Sequence, residues 1–278
     1  MTDIATPGAS KDVPSALMRQ TLLDAELVRP ATDRPVIKLL PWLHVVGIGG
    51  RSIMDRGREA VLPLVDELRA AFADHRMLIA TGAGIRARHV FSVALDLGLP
   101  TGALAALAAT EAEQNGHIVA ALLAEDGVSY LPHTSVGHQL AVHLSASPAA
   151  VSNGYPPYEL FELPPAVGKI PPHQTDTGIF LLSDVYGAAR TVYAKDVDGI
   201  YTSDPATAAE GEAELIPRVG AAELLAMELP TLPIDRLVLE LMAHAKHVDE
   251  IQIVNGLTRG NVTKALRGEH VGTIVHAD

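Results

Sequence analysis

Apolar and polar positions fall into alternating blocks along most of the chain. The ordered pattern starts at Val36–Leu40 and His44–Ile48, and Gly49-Gly50 interrupts it. Val61, Leu64, Val65 and Leu68 then recur at helical spacing, which predicts a helix over Arg58–Ala73. Met77–Ala80 reads as a buried strand, Thr81–Gly84 as a turn, and Arg86–Leu97 as a helix stopped by Gly98-Leu99-Pro100. An alanine-rich helix or helix pair follows over Gly102–Ala124, then a short strand over Val128–Leu131 and a polar or helical stretch through Leu144. Past a long irregular segment, a helix is predicted over Thr177–Tyr186 and a strand over Thr191–Ala194. Helices at Ala221–Met227 and Ile234–His247, a strand at Ile251–Val254, a helix at Thr258–Leu266 and a strand at Gly272–Val275 complete the pattern. Strands alternating with helices predict a three-layer α/β fold around a central, mainly parallel sheet.

Two stretches depart from the alternation. Residues 1–35 are polar and broken by proline, and read as an N-terminal arm with a short helix near Pro14–Leu23. Residues 36–278 read as one domain with two lobes. Within it, residues 153–176 carry Asn153-Gly154 and the pairs Pro156-Pro157, Pro164-Pro165 and Pro171-Pro172. An irregular segment of that length inside a compact domain is commonly functional.

Composition narrows the chemistry. Hydrophobic residues make up 48%, enough for a full core. Cysteine is absent, which removes thiolate nucleophiles, disulfides and cysteine metal sites and leaves the 12 histidines as the main soft ligands. A net charge of −12 argues against nucleic-acid or anionic-membrane surfaces. It leaves room for a small anion, because backbone N–H groups bind one without any basic side chain. The first residues do not form a secretory signal and no uninterrupted apolar run spans a bilayer, so a cytoplasmic location is expected.

Three loops carry candidate chemistry. Gly47-Ile48-Gly49-Gly50 follows a strand, and Thr81-Gly82-Ala83-Gly84 follows the next. Such glycines turn N–H groups toward a phosphate, or serve only as tight turns for helix–sheet packing. Neither set has the full GxGxxG spacing, and no GK[ST] is present. The third loop, Lys195–Pro205, offers Ile200 and Tyr201 to a flat base and Lys195 to a phosphate, with Asp196 or Asp198 orienting it. Its alternative is a solvated turn. Asp176 is an N-cap of the helix that follows it or an acidic participant at Mg²⁺ or at a transferred phosphate.

Together these loops resemble the amino-acid kinase family over residues 36–276, with its uridylate-kinase branch as the enzymatic comparison. The resemblance implies a nucleotide loop at Lys195–Pro205, with Lys195, Asp196, Asp198, Gly199, Tyr201 and Asp204. It implies phosphate loops at Gly47, Gly49 and Gly50 and at Gly82 and Gly84, and catalytic roles for Asp176 and Lys195. A narrower likeness is to the molybdenum-storage members, in their alpha-subunit form. It rests on Leu39–Leu43, Met54–Gly57, Gly82–Gly84, Arg86–Ser92, Glu113–His117, Tyr155–Tyr158, Ile170–His173, Asp196–Asp204, Val254–Leu257 and Leu266–Thr273. It implies a storage subunit that binds ATP and Mg²⁺ and helps retain polynuclear molybdate or tungstate in a hexameric cage. The expected partner is a beta-type subunit, or further copies of this chain in a homohexamer. His143 matches a cluster-lining histidine, and His133 is its neighbour in sequence. The alternatives are a uridylate-kinase-like phosphotransferase and a non-catalytic nucleotide-binding structural subunit.

Two departures qualify that pattern. The family's first loop begins with lysine, where this chain has Gly47. Losing that ammonium removes about 2–4 kcal/mol of transition-state stabilisation, so ATP binding is expected to outlast hydrolysis. In addition, a histidine-rich run that follows Pro-Pro-Tyr in the alpha-type pattern is replaced by Glu159–Glu162, whose carboxylates repel an oxyanion.

Overall fold

The computed structural model describes residues 36–154, 159–208 and 213–277. The expected arm over 1–35, including its helix, lies outside the described residues, as do Tyr155–Tyr158. The elements occur in the order β1 (Leu43–Ile48), α1 (Arg58–Ala71), β2 (Arg76–Thr81), α2 (Ile85–Asp96), α3 (Thr101–Leu122), β3 (Ser129–Tyr130), α4 (His133–Ala146) and β4 (Ala149–Asn153). They continue with α5 (Thr175–Tyr186), β5 (Arg190–Lys195), β6 (Ile200–Tyr201), β7 (Leu215–Ile216), β8 (Arg218–Gly220) and α6 (Ala221–Ala226). The last are α7 (Arg236–Met242), β9 (Glu250–Asn255), α8 (Asn261–Leu266) and β10 (Thr273–His276).

Eight strands form one sheet in the order β3-β4-β2-β1-β5-β9-β10-β8. Each neighbouring pair is parallel except β9 with β10. The expected three-layer α/β fold with a mainly parallel sheet is therefore present. Parallel strands need both faces covered, so β1 and β2 are nearly continuous apolar runs with no polar face. Val46, Ile48, Met77 and Ile79 pack on α1, α8 and the end of α3. Leu43, Val45 and Leu78 pack on α4, α5 and α7 from the other side. Each fully buried Leu or Ile contributes about 1.5–3 kcal/mol, so both layers stabilise the β1–β2 centre.

The differences from the predicted pattern have local causes. Val36–Leu40 is not a strand: both edges of β1 are taken by β2 and β5, and Ile37 and Leu39 stay exposed. The stretch predicted as a helix or helix pair over Gly102–Ala124 is one helix, Thr101–Leu122, and Gly116, at a close approach to the Tyr130 ring, does not break it. β4 was not predicted, since Ala-Ala-Val-Ser-Asn lacks the β-branched run that marks a strand. It exists through burial between β2 and β3.

Strand order places the loops. The chain passes from β1 to β2 on one side and then returns from β4 across both to place β5 on the other side of β1, so the strand order reverses there. That arrangement opens a crevice at the carboxyl ends of β1, β2 and β5.

Candidate functional site

Lys195 ends β5 and turns its side chain back toward the start of α5. Its Nζ donates to both carboxylate oxygens of Asp176, at 2.8 and 2.7 Å. Each side chain is about 10% exposed, so the pair sits largely out of water. Asp176 lies in the first turn of α5, where the helix dipole favours a negative charge. It is not the N-cap: Gln174 holds that position and makes no side-chain cap bond. The carboxylate turns to Lys195 instead.

A second carboxylate stands behind the first. Asp235 Oδ2 accepts from the Thr177 amide at 3.1 Å and from Thr177 Oγ1 at 3.3 Å. The Asp235 amide in turn donates to Asp176 Oδ2 at 3.3 Å. The residue keeps some exposed surface, but its carboxylate is enclosed. Burial, reinforced by the Asp176 charge, pushes the Asp235 carboxyl from 3.8 up to about 7. Below this pair, Tyr193 donates its hydroxyl to the Asp176 carbonyl at 2.9 Å. Burial, with Asp176 and Asp235 adding to it, raises the Tyr193 phenol well above its ordinary value. Lys195 thus pairs with Asp176, and the enclosed Asp235 carboxyl stands behind that pair with its pKa raised.

A cavity of about 340 Å³ opens beside Lys195. Of the predicted residues, Gly49, Gly50 and Gly84 border it on the glycine-loop side. Lys195, Asp196, Gly199, Tyr201 and Asp204 border it on the other. Thr231, Leu232 and Pro233 close a wall that sequence reasoning did not supply, and Arg51 and Arg88 also line the cavity. Gly47, Gly82, Asp198 and Asp176 do not line it; Asp176 reaches the cavity only through Lys195.

Two glycines are required by space or backbone. A Cβ on Gly50 would lie 2.2 Å from the Gly84 nitrogen, so the first and second glycine loops touch backbone to backbone. Gly199 has φ +155°, and a Cβ there would meet Thr273 Oγ1 at 2.4 Å. That close approach lets the Ile200 amide donate to Thr273 Oγ1 at 2.8 Å and pins the nucleotide-type loop to β10. Gly47 is different. A side chain at this position would run into Ile179 Cδ1 at 2.8 Å and Tyr193 Cδ1 at 3.2 Å. A side chain here requires Ile179 and Tyr193 to shift, and Lys195 is the cation beside Tyr193, with Nζ 5.8 Å from the ring centroid.

The acidic residues of the loop are committed to its shape. Arg56 donates to Asp196 at 2.6 Å. Asn255 donates to Asp198 at 2.9 Å, and Asp204 Oδ1 accepts from the Ala206 amide at 2.9 Å. The arginines after the second glycine loop divide. Arg86 turns to Asn115 and Glu111, while Arg88 remains exposed at the cavity.

The two histidines expected at a cargo site are not brought together. His133 and His143 both lie on α4, about 15 Å apart along its axis. His133 is buried, and its Nδ1 lies 3.1 Å from the Asn153 carbonyl. Burial lowers its pKa. His143 is half-buried with Nδ1 3.4 Å from Ser129 Oγ. Among the described residues no group of three or more His, Asp or Glu is placed to hold a metal ion. In the long loop Glu162 turns inward: His173 Nδ1 lies 2.6 Å from Oε1, and the Glu162 side chain is 1% exposed. Its charge is therefore directed at His173 and not at a passing oxyanion.

Sequence reasoning missed Asp235 as well as the 231–233 wall. Asp235 precedes a short apolar helix and reads as a cap. Nothing in its spacing ties it to Asp176, 59 residues away.

Comparison with known proteins gives four findings. The amino acid kinase family profile matches residues 42–255. The chain is 43% identical to the molybdenum storage protein subunit beta of Azotobacter vinelandii, over 97% of this chain and 98% of that one. It is 25% identical to a uridylate kinase of Methanothrix thermoacetophila, over 84% and 99% respectively. In three dimensions it is similar to the uridylate kinase of Archaeoglobus fulgidus, with a TM-score of 0.64 at 20% identity, covering 86% of this chain and 100% of that one. The first relative corrects two expectations. The chain aligns with a beta subunit, so it is not alpha-like, and its expected partner is not beta-type. The short motifs behind the alpha-type expectation lie in loops and in α2 and α3, and they identify the family without separating subunit types. With the alpha-type comparison withdrawn, Glu159–Glu162 is no longer a departure. No helix among the described residues is long and apolar enough to cross a membrane.

Proposed function

The chain belongs to the amino acid kinase family and is a homologue of a molybdenum-storage subunit, and from that premise we propose that it binds ATP with Mg²⁺ and helps assemble and retain polynuclear molybdate or tungstate in an oligomeric cage with an alpha-type partner. The observation that carries the storage reading is the 43% identity over nearly the whole of both chains. The nucleotide part is supported by the Lys195–Asp176 pair beside a glycine-bordered cavity at the sheet's switch point.

The residues present suit ATP. Gly50 has no side chain between its amide and the cavity, while Gly49, whose amide already donates to the Ala194 carbonyl at 3.1 Å, lets the backbone pass close. Lys195 offers an ammonium held in place by Asp176, which lowers the ordering cost of a phosphate contact. Tyr201 and the Thr231–Pro233 wall leave a slot for a base. Mg²⁺ usually takes most of its oxygens from phosphate and water with one or two carboxylates. Asp204 and Asp196 are the carboxylates on the cavity, and Asp196 is shared with Arg56. The bound ion would offset phosphate charge. Asp176 does its work through Lys195, and Asp235 holds the start of α5 through Thr177.

For cargo contact we assign His143, whose ring is partly open to solvent. His133 is the weaker donor, because one nitrogen is already at the Asn153 carbonyl. Assembly is supported by an apolar loop left open on the surface: Phe161 is 86% and Val167 92% exposed. Exposed apolar groups of this kind mark surfaces that a partner covers. The packed position of Gly47 supports weak ATP hydrolysis or none, so a non-catalytic nucleotide-binding role is the second reading.

The test is a structure of the chain purified with an alpha-type subunit, molybdate and ATP, with anomalous scattering at the molybdenum edge. We expect nucleotide against Gly49, Gly50 and Lys195 and oxometalate inside the assembly. A nucleotide-loaded assembly with no oxometalate would overturn the storage function.

A further inference from the structure

Asp235 is the N-cap residue of α7, yet its side chain makes no cap bond to that helix. An aspartate in this position normally accepts from the first amides of its own helix. Here the carboxylate crosses to α5, where Oδ2 accepts from the Thr177 amide and from Thr177 Oγ1. Oδ1 is the oxygen left for a proton. The Asp235 amide donates to Asp176 Oδ2, the same oxygen that takes Lys195 Nζ at 2.7 Å. Only the buried Ile234 separates Asp235 from the Thr231–Pro233 wall of the nucleotide cavity. One residue therefore ties together a cavity wall, the start of α5 and, through Asp176, the lysine that lines the cavity.

The charged and titratable groups facing Asp235 come from two elements. Asp176 lies on α5, and Lys195 and Tyr193 lie on β5. Arg236, the next residue in the chain, turns instead to Glu240 and to the Leu225 carbonyl. The cluster thus holds two carboxyl groups and one ammonium. With both acids ionised it carries an excess negative charge largely out of water, which burial opposes. The Lys195 charge offsets that excess, acting on Asp235 against both burial and the Asp176 charge. Phosphate oxygens at Lys195 would draw on the same ammonium and add negative charge beside it. A proton on Asp235 removes the excess.

We propose that Asp235 is a positioning residue of the nucleotide site and takes up a proton as the phosphates bind. The inference rests on the nucleotide reading above and deepens it by naming how that site is regulated. Burial holds the Asp235 carboxyl at about 7, so it is partly ionised near neutrality and has room to gain a proton there. Binding and protonation are then linked in both directions. A nucleotide that draws in a proton is itself bound less tightly as pH rises. Tying α5 to the cavity wall, taken alone, creates no such link.

The experiment titrates a non-hydrolysable ATP analogue, with Mg²⁺ in excess, into the full-length chain by calorimetry. Buffers of different ionisation enthalpy report the protons exchanged, and affinity is followed across neutrality. The unchanged chain is expected to take up about half a proton per nucleotide at about pH 7, and to bind about fivefold more weakly at about pH 8 than at about pH 6. Asp235→Asn keeps an acceptor for Thr177 and has no proton to gain. Its uptake and its pH dependence should both vanish, and on the alkaline side it should bind more tightly than the unchanged chain. Thr177→Val removes a hydrogen bond that favours the ionised carboxyl, so the fall in affinity should move to higher pH. It also serves should the asparagine variant fail to fold. Equal proton uptake by the unchanged chain and by Asp235→Asn would overturn the inference. So would an asparagine variant that is folded but binds more weakly at every pH, or a valine variant whose affinity falls at the same pH as that of the unchanged chain. Failure of the unchanged chain to bind the analogue at any pH is a separate result, which overturns the nucleotide reading itself.

Discussion

The carboxyl end of β5 and the helix α4 both carry residues suited to ligand chemistry, and the fold treats them differently. At β5, Lys195, Asp176, Asp235, Thr177 and Tyr193 come from distant parts of the chain and close on one another. On α4, His133 and His143 come from the same helix and stay apart, one turned to a carbonyl and the other to a serine. A nucleotide is bound within one subunit, so its polar groups must converge there. Cargo held in a shared cavity needs only one contact from each subunit. On the proposed function, the contrast accounts for a convergent polar cluster beside the cavity and separated histidines on α4.

The sharpest way to break the comparison is to remove its centre. Lys195→Met leaves Asp176 enclosed without its cation, and breaking a buried pair in this way costs about 3–5 kcal/mol. Protonation of Asp235 softens that cost. Denaturant unfolding should show the loss, while His143→Ala measured beside it should not.

Space at the glycine loops comes next. Gly50→Ala forces a methyl against the Gly84 backbone, which cannot yield like a side-chain end. Overpacking of that kind costs about 1–3 kcal/mol. Thermal melting should register it, together with weaker ATP binding. Gly47→Lys meets Ile179 and Tyr193 side chains instead. Restoring the family lysine should therefore lower the melting temperature and fail to raise ATP hydrolysis. A rise in hydrolysis with unchanged stability would refute the packing account.

A smaller effect isolates Asp235 by pH. The Asp235 pKa is raised in the folded chain, from 3.8 to about 7, so the folded state binds the extra proton. Its contribution to stability is complete below about pH 4 and is lost as pH rises through about 7. His44 acts in the opposite sense in the same window. Burial, with His75 adding to it, lowers its pKa from 6.5 to about 4, so its contribution is lost as pH falls. Total stability mixes the two slopes. The difference between the unchanged chain and Asp235→Asn isolates one of them, and the unchanged chain should lose ground as pH rises from about 4 to about 7.

The smallest expected change is His143→Ala, which should leave nucleotide affinity unaltered and reduce molybdenum retained per assembly. Elemental analysis of the purified complex would check it.

Much of the fold was legible in the sequence because its signals are local. Helical spacing in Val61–Leu68 and apolar runs at β1 and β2 are set by burial of near neighbours. The loop residues Gly49, Gly50, Lys195 and Asp204 followed from their position after strands. What the sequence did not disclose is non-local. Asp235 meets Asp176 only when α5 and the approach to α7 pack together, and the fit of Gly47 against Ile179 is a fact of volume. β4 was hidden because its small residues are strand-forming only when buried between β2 and β3. Subunit type was misread from short motifs, since loop chemistry is shared more widely than the chain as a whole.

The central claim is that Lys195, held by Asp176, is the phosphate-binding cation of a nucleotide site. Titration of ATP into the unchanged chain and into Lys195→Met, both shown to be folded, tests it most directly. The account predicts binding by the first and at least about a tenfold loss in the second. Equal affinity in the two, or no binding by either, would contradict it.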